Sequence, residues 1–266
     1  MQALTLVLTR PRQQASQWLQ RLAALGVTAR SLPLIAIEAA EPEAAASAWQ
    51  ALLAPPGAAL ATFVSPNAVE HFFAGKPAGQ VWPAATLAAC VGPGSAQALR
   101  EAGVPAELIV QPPDDAASLD SEHLWPQLSQ RDWTGRQVLM LRGDGGRDWL
   151  AMRLRERGAC LQLFSVYRRR CPSPSSAEQA LLAEILAAPG QHVWLFSSAE
   201  AIGHLQTLAP LQLDWSAGQC IATHERIAER ARRLGFGHVV LTRPDAIAVA
   251  QALDRMQPGT LQSPAT

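Results

Sequence analysis

The sequence predicts an α/β fold of two similar lobes, each a parallel sheet with crossover helices. Three observations predict it. Short apolar runs rich in Val, Leu and Ile alternate with longer helical patterns, as expected of strands that return through helices to the same sheet. The chain also matches itself at an offset of about 132 residues: Leu8-Thr9-Arg10-Pro11 running on to Gly26 is echoed by Leu141-Arg142-Gly143 running on to Gly158. In step with this, Phe63-Val64-Ser65-Pro66-Asn67-Ala68-Val69 corresponds to Phe196-Ser197-Ser198-Ala199-Glu200-Ala201-Ile202, and Val91-Gly92-Pro93-Gly94-Ser95-Ala96 to Thr223-His224-Glu225-Arg226-Ile227-Ala228. Collinear matches of this kind indicate an internal duplication. Finally, residues 30–38 and their counterpart 161–170 are too long for ordinary strands, so they are expected to pass between the lobes as a two-stranded connector.

In chain order, residues 4–8 read as the first strand; Thr9 can cap the helix that follows, and Pro11 suits its first turn. That helix carries Ala15, Trp18, Leu19, Leu22 and Leu25 at helical spacing and stops at Gly26. Further strands are expected at 28–34, 59–64, 87–91, 107–111, 138–142, 161–168, 192–196, 220–223 and 238–241, with helices between them. Residues 44–69 are uncharged and long enough to span a bilayer, but Pro55-Pro56-Gly57 interrupts them, so they read as helix, turn and strand. With both long stretches crossing, lobe 1 is discontinuous (1–35 and 170–258) and lobe 2 is the middle, 38–166. The run Cys171-Pro172-Ser173-Pro174-Ser175-Ser176 marks the return loop, and 259–266 read as a disordered tail.

Composition narrows the function. Lys and Arg together number 22 and Asp and Glu 22, so there is no basic excess of the kind nucleic-acid proteins show, and an anionic ligand must be met by local charge. Cys90, Cys160, Cys171 and Cys220 are far apart, which suggests buried reduced thiols and neither a zinc ribbon nor a redox dithiol. No basic segment followed by a long apolar core opens the chain, so the expectation is a cytoplasmic monomer with no membrane or nucleic-acid partner.

In an open parallel sheet, ligands bind beyond the carboxyl ends of the strands, where helix N-termini present N–H groups. The repeated turns fall there: Thr9-Arg10, Ser65-Pro66-Asn67, Gly92-Pro93-Gly94-Ser95, Arg142-Gly143-Asp144-Gly145-Gly146-Arg147, Ser197-Ser198 and Thr223-His224. Hydroxyls, backbone amides and arginines together suit oxyanions, although each hydroxyl alone also suits an N-cap. The glycine cluster has neither dinucleotide nor phosphate-loop spacing; its small residues would let a carboxylate approach the backbone between Arg142 and Arg147. There is no Gly-x-Ser-x-Gly elbow or His-Glu-x-x-His helix; His71 and His204 occupy equivalent packing positions, and His224 opens a helix, so there is no case for a metal. Tyr167 is the only tyrosine and stands in the expected connector before Arg168-Arg169-Arg170, where its phenol could reach a cleft between the lobes. A hydrogen bond donated there would help a hydroxide depart.

Taken together, these segments resemble the uroporphyrinogen-III synthase family. The resemblance runs from Leu6 to about Leu253 and rests on Leu8-Thr9-Arg10-Pro11, Leu32-Pro33-Leu34-Ile35, the turns at Ser65, Gly92 and Arg142, Val166-Tyr167-Arg168-Arg169 and Phe196-Ser197-Ser198, in that order. It implies two flavodoxin-like or Rossmann-like lobes on a two-stranded connector, with the linear tetrapyrrole hydroxymethylbilane in the cleft. The implied reaction loses the terminal hydroxyl as water, passes through a spiro intermediate and closes the macrocycle with the last ring, D, inverted. No metal or organic cofactor is implied. Tyr167 matches the family's cleft tyrosine, thought to assist departure of the hydroxyl, and Ser65, Ser95 and Ser197 match its polar turns. The substrate's carboxylates would suit Arg10, Arg142, Arg147 and Arg168, and the preceding bilane-forming enzyme is a candidate partner. The chain departs from the family at Thr223-His224-Glu225-Arg226-Ile227, where many members carry Thr or Ser beside Gly-Pro, so Arg226 could substitute a charge for those contacts. The competing reading is a noncatalytic two-lobed module that binds an anionic small molecule; retention of Tyr167 and of the glycine-arginine turn favours the enzyme.

Overall fold

The computed structural model describes residues 4–257 apart from 114 and 117. Its elements, in chain order, are β1 (Thr5–Leu8), α1 (Arg12–Ala24), β2 (Ala29–Ser31), β3 (Ala36–Ala39), α2 (Pro42–Leu53), β4 (Leu60–Phe63), α3 (Pro66–Ala74), β5 (Leu87–Cys90), α4 (Pro93–Glu101), β6 (Ile109–Val110) and α5 (Ser121–Ser129). They continue with β7 (Gln137–Gly143), α6 (Trp149–Glu156), β8 (Cys160–Arg170), α7 (Ser176–Ala187), β9 (His192–Phe196), α8 (Ala199–Leu208), β10 (Gln219–Ala222), α9 (Glu225–Leu234), β11 (His238–Leu241) and α10 (Ala246–Met256). The chain forms two compact units: one holds the chain up to Ala36 and from Arg170 onward, the other Ile37–Arg169.

In the first unit the sheet order is β11-β10-β9-β1-β2, every pair parallel. A parallel strand can be reached only by a crossover, and helices on both faces bury the central strands on both sides. That is why β9 is apolar without alternation and buried along its whole length. On one face Leu6, Leu8, Val193, Leu195 and Ile221 pack with Trp18 and Leu22 of α1 and with Val249 and Leu253 of α10. Spacing of three and four residues puts Ala15, Trp18 and Leu22 on one side of α1, while Leu25, past the end of the stripe, is 44% exposed. Gly26 then takes φ +74°, a left-handed turn that glycine enters at least cost.

In the second unit the order is β3-β8-β7-β4-β5-β6, with the strands from β8 to β6 parallel. One side of this sheet is aromatic. Trp49 of α2 stacks on Phe72 of α3 at 4.5 Å between ring centroids and donates its indole N–H to the Phe72 carbonyl at 2.9 Å, with Phe63, Phe73 and Trp82 edge-on or stacked around them. The other side is covered by Leu124 and Leu128 of α5 and Leu150 and Leu154 of α6. If β7, β8, β4, β5 and β6 are set against β1, β2, β9, β10 and β11, the two sheets have the same spatial order, the 2-1-3-4-5 arrangement of doubly wound folds.

The structure corrects several expectations. Residues 30–38 are not one overrunning strand: β2 ends at Ser31 and β3 begins at Ala36. Between them Leu32 and Leu34 donate N–H bonds to the carbonyls of Leu8 and Thr9, and Pro33, with no N–H to give, ends the regular pairing. By contrast, β8 is a single strand of 11 residues. Thr9 does not cap α1. Its hydroxyl is buried and donates to the Leu195 carbonyl at 2.7 Å, and Pro11 occupies the N-cap position in front of the helix. The expected strand at 107–111 shrinks to β6, with Pro105 and Pro112 flanking the segment. Cys90 and Cys220 are buried, but Cys160 is exposed and Cys171 half-buried. The tail at 259–266 lies outside the described residues, and among the described residues no helix is long and apolar enough to cross a membrane.

Burial pushes the Cys90 thiol up to about 11 and the Cys220 thiol up to about 12, so neither forms the reactive thiolate near neutrality. Brief alkylation of the native protein, read by mass spectrometry, is therefore expected to modify Cys160 and to reach Cys90 and Cys220 only after denaturation.

Candidate functional site

The polar groups of the second unit gather where β4, β7 and β8 end. Ser65 follows β4 and is the N-cap of α3, its Oγ accepting the Ala68 N–H at 3.2 Å. The Tyr167 hydroxyl lies 3.0 Å from that same Oγ. A register shift brings it there: Arg142 pairs with Ser165 but Gly143 pairs with Tyr167, so Val166 is an extra residue in β8. This bulge breaks the alternation of the strand, and Val166 and Tyr167, although neighbours in sequence, are both buried in the aromatic core. The ring of Tyr167 lies against the bare backbone of Gly143, where a Cβ would come within 2.9 Å of its Cε2. The His71 imidazole stacks on the Tyr167 ring with 5.9 Å between centroids.

Tyr167 is thus only 2% exposed, and its hydroxyl meets Ser65. Two hydroxyls sharing one hydrogen bond keep one O–H proton outside that bond. When Tyr167 donates, Ser65 accepts from Tyr167 and from Ala68 and holds a polarised O–H for a third group.

The arginines differ from expectation. Arg142 is 8% exposed and donates to Asp148 at 2.5 Å, and Arg147 grips Glu122 through two hydrogen bonds. These bonds from Arg147 hold the Glu122 carboxyl below the usual glutamate range and raise the Arg147 guanidinium. Both guanidiniums flanking the glycine-rich turn thus already have a protein carboxylate as counter-ion. Arg168 likewise pairs with Glu41 at 2.7 Å, and the Asp144 carboxylate accepts the Arg169 N–H at 3.1 Å. Gly145 is open, and Gly146, at φ +128°, lets the Arg142 guanidinium lie where a Cβ would be 3.2 Å from it. Asn67 and Ser95 are buried in the first turns of α3 and α4; α4 starts from Gly92 as its N-cap and runs through Gly94.

In the first unit the matching turns are helix caps. Ser198 Oγ accepts the Glu200 N–H and His224 Nδ1 accepts the Arg226 N–H, each at 3.2 Å, while Thr223 N–H donates to the Phe196 carbonyl at 3.1 Å. Ser197 is half-buried and Arg226 exposed. His204 is tied down, its Nδ1 2.6 Å from the Leu34 carbonyl. Arg10 stands apart: its guanidinium lies 4.3 Å over the Trp18 ring, and its Nε is buried without a hydrogen-bond partner among the described residues. Burial lowers it to about 10. Sequence reasoning missed Trp18 as the neighbour of Arg10, having placed it in the core stripe, and missed Glu122, Asp148 and Glu41 as counter-ions. Only Asp148, six residues after Arg142, left a local trace.

A family model described as uroporphyrinogen-III synthase HemD matches residues 16–251 of this chain. The uroporphyrinogen-III synthase of Salmonella typhimurium is 28% identical over 254 residues, covering 94% of this chain and 100% of that protein. Among solved structures, a mutant uroporphyrinogen III synthase from Thermus thermophilus superposes with a TM-score of 0.59 at 20% identity, covering 96% of this chain and 98% of that one. Uroporphyrinogen-III synthetase from Helicobacter pylori gives 0.60 at 15% identity, with 97% and 100% covered. These two structural likenesses speak to the fold.

Two outcomes follow from the geometry. Gly143→Ala forces its Cβ into the Tyr167 ring and should destabilise the protein by about 1–3 kcal/mol in urea unfolding. Glu122, depressed below its ordinary 4.5, adds stability above that pH and loses it as pH falls through its folded value. Glu122→Gln should therefore lower the melting temperature near neutrality and converge on the parent protein in acid.

Proposed function

The chain belongs to the uroporphyrinogen-III synthase family, and on that premise we propose that it cyclises hydroxymethylbilane to uroporphyrinogen III, inverting the last ring and releasing water. The observation that carries this reading is a family match running from residue 16 in α1 to residue 251 in α10, across both units. We further propose a cytoplasmic monomer that takes its substrate from the bilane-forming enzyme.

We also read the two units as products of one duplication. The common sheet order and the repeated strand-turn-helix motifs support this. In the same reading β3 and β8, neighbours in the second unit's sheet, are the two-stranded connector, since the chain changes unit after Ala36 and again after Arg169.

The reaction asks for a proton at the departing hydroxyl and for control over which carbon closes the ring. As the carbon–oxygen bond of the hydroxymethyl group breaks, the oxygen leaves as water with an added proton. We assign the delivery of that hydrogen bond to Ser65 and Tyr167. Ser65 is the less buried of the two and Tyr167 polarises it, so the phenol acts on the leaving group through the serine. Ring inversion is a matter of holding the end ring so that one closure outruns the other. In the second unit the strand-end turns at Ser65 and Gly92 are the proposed holding surface, through helix N–H groups more than through side chains.

The deciding experiment feeds freshly made hydroxymethylbilane to the purified protein, oxidises the product and separates the uroporphyrin isomers. Predominant type III is expected; type I alone, as in the protein-free control, would mean a binding module. Ser65→Ala should lower kcat on the order of 100-fold, and Tyr167→Phe by less, since Ser65 then keeps its O–H. Unchanged turnover in both variants would remove the pair from the mechanism.

A further inference from the structure

Of the four arginines that the sequence offered to a polyanion, Arg142, Arg147 and Arg168 are neutralised by Asp148, Glu122 and Glu41. Arg10 is not: it has no hydrogen bond or ion pair among the described residues, only the face of Trp18 at 4.3 Å, and its Nε is closed off from solvent. A half-buried guanidinium without a counter-ion costs stability, and stacking on an indole offsets that by only about 0.5–2 kcal/mol.

The internal repeat sharpens the contrast. At the offset that aligns Arg10 with Arg142, the position of Asp148 falls on Ser16, so the repeat that holds Arg10 lacks the carboxylate that its counterpart has. The surroundings of Arg10 favour a negative charge from outside. It follows the carboxyl end of β1 and stands just before Pro11, the N-cap of α1, a helix of 13 residues with no side-chain cap and no acidic residue in its first turn.

We propose that Arg10, seated on Trp18 beside the N-terminus of α1, is a subsite for one carboxylate of the ligand, filling the role that Asp148 plays for Arg142. A guanidinium edge offers two parallel donors, which match a planar carboxylate. That this carboxylate is an acetate or propionate of the tetrapyrrole rests on the synthase reading.

The test uses Arg10→Met and Arg10→Lys, with uroporphyrin III as a carboxylate-bearing probe that needs no turnover, followed by quenching of tryptophan fluorescence. Arg10→Met should bind the probe about 10–100-fold more weakly while melting at or above the temperature of the parent protein, because it removes an unpaired desolvated charge. Arg10→Lys keeps the charge but loses the fork and should fall in between. Unchanged affinity in both variants overturns the subsite, and so does a fall in melting temperature that accounts for the lost binding, which would make Arg10 a structural residue. Failure of the synthase reading is a separate result: the parent protein would then yield only the type I isomer, whatever the variants bind.

Discussion

Strands buried on both faces leave a protein few places for polar chemistry, and this constraint governs both units. Apart at most from a first residue, β1, β4, β5, β7, β9 and β10 are buried along their length. Ser65, Ser197, Ser198, Thr223 and His224 accordingly stand in turns where strands give way to helices, and there the unpaired N–H groups of the helices compete for such side chains. Ser65, Ser198 and His224 are all drawn into caps in this way. Ser65 has a second partner, the Tyr167 hydroxyl, brought within reach by one extra residue in β8 and by the absence of a side chain at Gly143.

Charge follows the same rule. At the end of β7 and in the glycine-rich turn after it, a carboxylate closes on each arginine, Asp148 from six residues on and Glu122 from α5, so a cluster that looks electropositive in sequence is largely compensated in three dimensions. Of the four arginines considered for a polyanion, the one without a carboxylate among the described residues, Arg10, lies instead in the first unit, on an indole. Binding capacity depends on which cations remain unmatched once the chain has folded, and a count of arginines does not measure that.

Much of the fold was legible in the sequence, because runs of Val, Leu and Ile bounded by turns report strands directly: β9 and β11 fall where the pattern puts them, and the helices between follow from their apolar spacing. The break between β2 and β3 was not, since an apolar run around Pro33 reads alike whether it is one strand or two strands of different sheets. Nor was the burial of Tyr167, which depends on a bulge set by a neighbouring strand. The turns that gather the polar groups could be read from the repeat, whereas the pairing of Arg147 with Glu122, 25 residues away, leaves no local pattern.

The division of the first unit has a consequence for the order in which the protein is built. The second unit is one uninterrupted stretch, whereas β1 must find β9, with Thr9 bonded to a residue 186 positions along the chain. During synthesis the middle of the chain emerges complete before its flanks can meet. Because β3 and β8 lie side by side, its folding holds the two crossing points within a strand's length of each other and turns a very long loop closure into a short one. The inserted unit thereby serves as a folding template for the split one.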